Sequence, residues 1–332
     1  MKICYLGLGS FGYSLATLLA SKGLNVTAWT TKPNFTETVK KTGHHPLYPN
    51  SPWPLNLDVT NDLEEATYRA DCIIESVTTA GIRSVCEKLH ALKVSPRTFV
   101  ITSKGIEQDS GLLLPSIVEQ VLGDDFHPFI GCLSGPGYAQ EILQGYPATV
   151  VASGHNHNTI NRICKLFTTP TFRVYPNNDL IGVSFGGALK NIIAIACGIS
   201  DGLNFGSSSR AALMTRGLHE IRKLATAYGA QQETINGLAG MGDLCLTCSS
   251  SLSRNFQFGI LLAQGFSTIE ALKKVGTVVE GAYTCVTATQ LSKEQGIPMP
   301  ITETVYQILH EGLHPKDAVA LLMQRTVKEE HL

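Results

Sequence analysis

The chain has 332 residues, 43% of them hydrophobic and 16% charged, with a formal net charge of -1. At roughly 150 residues per domain that length suits two domains, and the even charge balance excludes the basic surface that attracts nucleic acid. The nine cysteines, an odd and scattered set, read as reduced thiols of a cytoplasmic protein, and no uncharged apolar run reaches the roughly 18 to 20 residues of a membrane span, so no membrane is expected.

The first apolar run, Ile3 to Leu6, begins too near the start to leave room for a secretion signal. It leads into Gly7-Leu8-Gly9-Ser10-Phe11-Gly12, and that turn leads into the helix-like run Tyr13 to Ser21. Strand, glycine turn and helix in this order predict a dinucleotide site. Gly7 allows the tight turn, Gly9 lets the backbone approach a pyrophosphate, and Gly12 allows close packing of helix on strand, while the helix N-terminus offers free N–H groups to the phosphates. A second strand, Val26 to Trp29, follows. It ends at Thr30-Thr31-Lys32, without the acid that would grip a ribose diol. Lys32 reads either as a contact for a 2′-phosphate or as a solvated surface lysine.

The proline-rich stretch Pro46 to Pro54 reads as a rigid surface loop. Further strands are expected at Cys72 to Ile74, Thr98 to Thr102, Phe129 to Leu133, Thr149 to Ala152 and Phe172 to Tyr175, with helices such as Leu114 to Leu122 and Ile160 to Phe167 between them. The alternation predicts a parallel, doubly wound α/β sheet with crossover helices. From about residue 181 the apolar spacing becomes helical, as in Met214, Leu218, Ile221 and Ala225, so the remainder should be all-helical. The boundary is placed near Pro176 to Asp179, giving a dinucleotide-binding domain over 1–178 and a helical substrate-binding domain over 179–332. Ser267 and Glu270 fit a capping box, and Pro315 fits the start of a last helix.

Several segments rich in small and polar residues stand out. Thr102-Ser103-Lys104-Gly105 and Ser134-Gly135-Pro136-Gly137-Tyr138-Ala139-Gln140 follow strands at the edge where α/β sheets bind ligands. Lys190 interrupts an apolar helix. It either reaches solvent or carries acid–base chemistry, since burial lowers a lysine pKa toward the useful range. Ser253-Arg254-Asn255 opens another helix and reads either as a phosphate site or as an ordinary N-cap beside a surface arginine. Cys245 and Cys248 form a CxxC pair with no second pair at metal spacing, so no metal is expected.

Taken together, GLGSFG, SKGIE, SGPGYAQE, GGALKNIIAIACGISDG, GLAGMGDLCLTC, SLSRNFQFG and VVEG resemble the bacterial NAD(P)-dependent glycerol-3-phosphate dehydrogenases over essentially the whole chain. The resemblance implies a Rossmann domain followed by a helical domain, with the active site between them. It implies reversible hydride transfer between NAD(P)H and dihydroxyacetone phosphate, giving glycerol 3-phosphate for glycerophospholipid synthesis. It makes Lys190 the general acid/base, Lys104 the lysine touching cofactor and substrate, and Asp243 the acid beside them. Cofactor contacts are implied for Gly7, Gly9, Ser10, Phe11, Gly12, Thr31, Lys32, Lys104, Ala139, Arg254, Val278 and Glu280. Substrate contacts are implied for Lys104, Gly135, Gly137, Lys190, Asp243, Ser253, Arg254 and Asn255. Gly137 stands where Thr or Ser is usual, Gln140 replaces a usual lysine, and Ser76 to Thr79 lacks the proline common in that loop. A homodimer is the assembly considered. A reductase of the ketopantoate or 6-phosphogluconate type, and a dinucleotide sensor without catalysis, are the competing readings.

Overall fold

A computed structural model describes residues 1–326, 329 and 330. Its strands are β1 (Lys2–Leu6), β2 (Asn25–Trp29), β3 (His44–His45), β4 (Tyr48–Pro52), β5 (Leu57–Thr60), β6 (Cys72–Glu75), β7 (Thr98–Ile101), β8 (Ile130–Ser134), β9 (Ala148–Gly154) and β10 (Phe172–Asn177). Helices interleaved with them are α1 (Ser10–Ser21), α2 (Pro33–Thr42), α3 (Leu63–Thr67), α4 (Ile82–Ala91), α5 (Leu114–Leu122), α6 (Ala139–Leu143) and α7 (His157–Phe167). After β10 come helices alone: α8 (Leu180–Gly202), α9 (Gly206–Ala227), α10 (Gln232–Asn236), α11 (Asp243–Cys248), α12 (Arg254–Ala263), α13 (Thr268–Val275), α14 (Glu280–Glu294), α15 (Pro300–His310) and α16 (Pro315–Met323).

The eight-stranded sheet has the order β10-β9-β8-β7-β6-β1-β2-β5. The central strands β6, β7 and β8 are buried along their whole length, the pattern expected where helices cover both faces of a sheet. One pairing corrects the expected all-parallel sheet: β9 runs antiparallel to β8. A parallel return would have to carry the chain back along a five-residue strand, about 17 Å, whereas the five-residue α6 rises only about 7.5 Å. The chain therefore re-enters the sheet at the edge it has just left.

The proline-rich stretch also differs from expectation. Residues 44 to 52 form an antiparallel hairpin, β3 with β4. Aromatic packing holds it down: the ring centroids of His45 and Trp53 lie 4.5 and 5.3 Å from that of Tyr13 on α1. The capping box at Ser267 and Glu270 and the proline start of α16 are present as expected.

Helix α8 is the axis of the helical half. It is long and apolar enough to cross a membrane by composition, with a mean hydropathy of 1.7 in its most apolar window, although Lys190 keeps its uncharged runs well short of a membrane span. Yet 83% of that window is buried by the helices around it. Small residues bring its neighbours to backbone contact. A Cβ on Gly198 would fall 2.0 Å from the Phe256 carbonyl oxygen, and one on Gly259 2.2 Å from that of Ile195, so α8 and α12 touch through glycine. Gly198→Ala must separate them, and we expect a loss of about 1–3 kcal/mol in urea unfolding, the usual cost of overpacking.

Candidate active site

The glycine turn forms as expected. Gly7 has φ of 93°, and a Cβ there would lie 2.8 Å from the Ser76 carbonyl oxygen, so any other residue is strained and crowded. A Cβ on Gly12 would lie 2.3 Å from the Gly7 oxygen, which fixes α1 close against the turn. Gly9 is the N-cap of α1, no side chain caps that end, and nothing stands within 4 Å of where its Cβ would be. The first-turn N–H groups of Ser10, Phe11 and Gly12 thus lie beside open space at the positive end of a helix. This cradle fits a pyrophosphate. At the end of β2, Thr31 and Lys32 are exposed, with Lys32 at the uncapped N-terminus of α2 and no carboxylate among Thr30, Thr31 and Lys32.

Across the cleft, three charged side chains from distant parts of the chain meet. Lys104, beyond the end of β7, places Nζ 2.5 Å from Asp243 Oδ2 and donates to the Gly135 carbonyl at 3.1 Å. Its Nζ also lies 5.6 Å from the centroid of the Phe11 ring, joining this cluster to the glycine turn. Lys190, in the middle of α8, places Nζ 2.5 Å from Asp243 Oδ1 and 2.7 Å from Thr247 Oγ1. Gly187 lies one turn before it on the same face, where a Cβ would meet the Lys104 stem at 3.2 Å, so α8 leaves room for both lysines.

Asp243 is held by a local device. Residues Leu238–Gly242 form a single π-helical turn, and Gly240 could not carry a side chain there, since its Cβ would sit 2.0 Å from the Ile235 oxygen. The turn delivers Asp243 to the start of α11, where it is 1% exposed. Thr247, one turn on, donates to the Asp243 carbonyl at 2.6 Å while accepting from Lys190.

Burial would push the Asp243 carboxyl up, but Lys104 and Lys190 outweigh it and hold the group below the usual aspartate value. Burial, opposed by Asp243 and reinforced by Lys104, brings the Lys190 ammonium down to about 8. Each ammonium has three hydrogens, and among the described residues two on each have partners. One hydrogen per lysine is left for a ligand.

Two family models match the chain. The model described as NAD-dependent glycerol-3-phosphate dehydrogenase N-terminus matches residues 2–160, and that of the C-terminus matches residues 179–320. The chain belongs to the NAD-dependent glycerol-3-phosphate dehydrogenase family. It is 58% identical over 331 residues to the glycerol-3-phosphate dehydrogenase [NAD(P)+] of Protochlamydia amoebophila, covering 100% of this chain and 99% of that one. It is 52% identical over 331 residues to the enzyme of the same name from Chlamydia felis, with the same coverage. The crystal structure of the Coxiella burnetii glycerol-3-phosphate dehydrogenase superposes with a TM-score of 0.93 at 37% identity, over 98% of this chain and 99% of that one.

The other residues expected from the family sit around this centre. Gly135, with φ of 139°, turns its carbonyl to Lys104, and a Cβ there would meet Val150 Cα at 2.9 Å. Gly137 is partly exposed and crowded only by Ile142 at 3.4 Å, and Ala139 begins α6. Arg254, exposed, begins α12, while the Ser253 hydroxyl accepts from Phe256 N–H as the N-cap. The N-cap reading of that segment is present, and a capping hydroxyl keeps its own proton to donate. Asn255 faces the protein more than expected: its Nδ2 donates to Asn191 Oδ1 at 3.0 Å and its Oδ1 accepts from Gly281 N–H at 3.0 Å. Glu280 begins α14 and accepts from Thr79 N–H at 3.3 Å, with Val278 exposed just before it.

Sequence reasoning passed over Thr247 and Asn191. The signal was available in part, since Thr247 falls four residues after Asp243 on one helical face and Asn191 adjoins Lys190. It also passed over Glu119, His127 and His155, whose ligand atoms lie within 4.8 Å of one another. They stand at the opposite edge of the sheet, before β8 and after β9, with the two imidazoles stacked at 3.8 Å. Cys245 and Cys248 are free thiols.

Asp243→Asn would leave two cations without their shared anion, at an expected cost of about 3–5 kcal/mol in folding free energy. Lys190 then loses the partner that raises its pKa, so the folded chain sheds that proton well before the unfolded chain does. Because the unfolded state binds the extra proton, the variant's stability should rise with pH from the folded Lys190 value toward the ordinary lysine range. Urea unfolding at several pH values measures this, and a variant as stable as the parent at every pH would contradict it.

Proposed function

We propose that this chain reduces dihydroxyacetone phosphate reversibly to glycerol 3-phosphate, with Lys190 as general acid/base, supplying glycerophospholipid synthesis. The observation that carries this reading is Lys190 itself: a buried ammonium near pKa 8, bonded to Asp243 and Thr247, with one hydrogen left to give. NADH or NADPH, when bound, supplies the hydride.

Charge develops on the ketone oxygen as the carbonyl carbon is reduced. Lys190 donates its proton to that oxygen, and Lys104 stabilises the charge from the other side of Asp243. Asp243 keeps both ammonium groups in place and keeps Lys190 protonated near neutral pH. Arg254, with Ser253 and Asn255, takes the substrate phosphate and so fixes the reacting carbon relative to the lysines, and Arg254 also reaches the cofactor. Gly135 and Gly137 line the substrate. The cofactor is held by Gly7, Gly9, Ser10, Phe11 and Gly12 at the pyrophosphate, by Thr31 and Lys32 at the ribose, and by Ala139, Val278 and Glu280 along the cleft.

The proposed division falls after residue 178, between the end of β10 and the start of α8. The proposed setting is the cytoplasm, with a small-molecule substrate and neither nucleic acid nor membrane as partner. A homodimer is the assembly to test by sedimentation.

Purified protein should oxidise NADH and NADPH on addition of dihydroxyacetone phosphate, and no turnover with either cofactor would overturn the reading. Lys190→Ala should lower kcat by about 10²- to 10⁴-fold. The pH dependence follows from the sign of catalysis. Reduction needs protonated Lys190, so its kcat/KM should fall as pH rises through about 8, while oxidation needs the neutral amine and should rise over the same range. A reduction rate flat to pH 10 would contradict the assignment.

A further inference from the structure

Glu75 ends β6, the strand between β1 and β7, and is wholly buried. Among the described residues, the ionisable groups that interact with it are Glu280, Tyr5, Cys86 and Cys132, none of them a cation. A carboxyl in such a place costs stability unless its hydrogen bonds do something an apolar residue could not.

Those bonds form a closed ring. Oε1 accepts from Val77 N–H at 2.6 Å and lies 2.7 Å from Ser103 Oγ, while Ser103 Oγ lies 2.5 Å from the Val77 carbonyl oxygen. Ser103 has one hydroxyl proton, shared between Glu75 Oε1 and the Val77 carbonyl oxygen, both of which accept. Burial pushes the Glu75 carboxyl up to about 8 against the opposing effect of the bonds from Ser103 and Val77, and among the described residues Oε2 has no partner.

The ring spans the two loops on which the cluster depends. The segment after Glu75 is wedged between the glycine turn and the lysine segment: a Cβ on Gly7 would meet Ser76, and one on Gly105 would meet Thr79 Oγ1 at 2.0 Å. Ser103 immediately precedes Lys104. We propose that Glu75 is a positioning residue for Lys104: by clasping Val77 to Ser103 it sets where the Lys104 ammonium stands relative to Asp243 and Lys190.

The proposal rests on the dehydrogenase reading above, and its test separates the two. Glu75→Leu removes the clasp without burying a new polar group. Glu75→Gln keeps an oxygen that can accept from Val77 N–H and from the Ser103 hydroxyl. The Leu variant should lose about tenfold or more in kcat/KM for dihydroxyacetone phosphate, as expected when a catalytic group is misplaced, whereas the Gln variant should stay within about threefold. A second readout reports on Lys104 and not on folding. Lys104 helps to lower the Lys190 pKa, so freeing it should move the alkaline limb of the Leu variant to higher pH while the Gln variant keeps the parent limb. If the Leu variant does not fold, Ser103→Ala breaks the same ring from the other side and must show the same limb shift. A folded Leu or Ser103→Ala variant with parent rate and parent limb would overturn the proposal, as would a Gln variant as impaired as Leu. A parent enzyme inactive on dihydroxyacetone phosphate would instead overturn the dehydrogenase reading.

Discussion

A single buried carboxylate, Asp243, stands between two ammonium groups at 2.5 Å each. Without it, Lys190 would have no reason to hold a proton in the middle of an apolar helix, and Lys104 would have no anchor on the far side of the cleft. With two cations and one anion the cluster keeps a net positive charge in a poorly hydrated place. That excess suits an oxyanion that forms during reduction, and the field is in place before the substrate arrives.

Much of the surrounding architecture can be understood as support for that carboxylate. The π-turn at Leu238–Gly242 is tolerated because glycine at 240 admits the Ile235 backbone, and it aims Asp243 at α8. Helix α8 brings Lys190 there by packing through Gly186, Gly187 and Gly198. From the sheet side, the carboxyl edge of β6 and β7 supplies Lys104, clasped through Ser103 to Glu75. The Phe11 ring under Lys104 couples the nucleotide cradle to the same centre, so binding and chemistry share one piece of scaffold.

How much of this was legible in the sequence depends on the range of the interaction. The glycine turn is a local motif, each glycine answering a backbone contact nearby in the chain or in the next strand, and it could be read from six residues. Lys190 could be suspected because a charge inside an apolar helix is conspicuous. Its partner could not be derived from spacing, since Asp243 lies 53 residues away; the family resemblance supplied it. The antiparallel β9 was misread because strand direction is set by where the preceding connection ends, and apolar runs carry no direction. The hairpin at residues 44 to 52 was hidden by its prolines, because what holds it is ring stacking on Tyr13, a contact between separate elements. Glu75 falls between the expected strand Cys72 to Ile74 and the loop Ser76 to Thr79, and a carboxyl at a strand end carries no signal of its burial. Its meaning lies in the Val77–Ser103 ring, which only the folded chain assembles.

The central claim is that Lys190 is a buried, perturbed acid held by Asp243. The most direct measurement is an NMR titration of the Lys190 side-chain ammonium in the ligand-free enzyme, assigned by comparison with Lys190→Arg. The account predicts a single titration centred near pH 8, displaced downward in Asp243→Asn. A Lys190 resonance that titrates with the surface lysines, near the ordinary value of about 10.4, and is indifferent to Asp243 would contradict it.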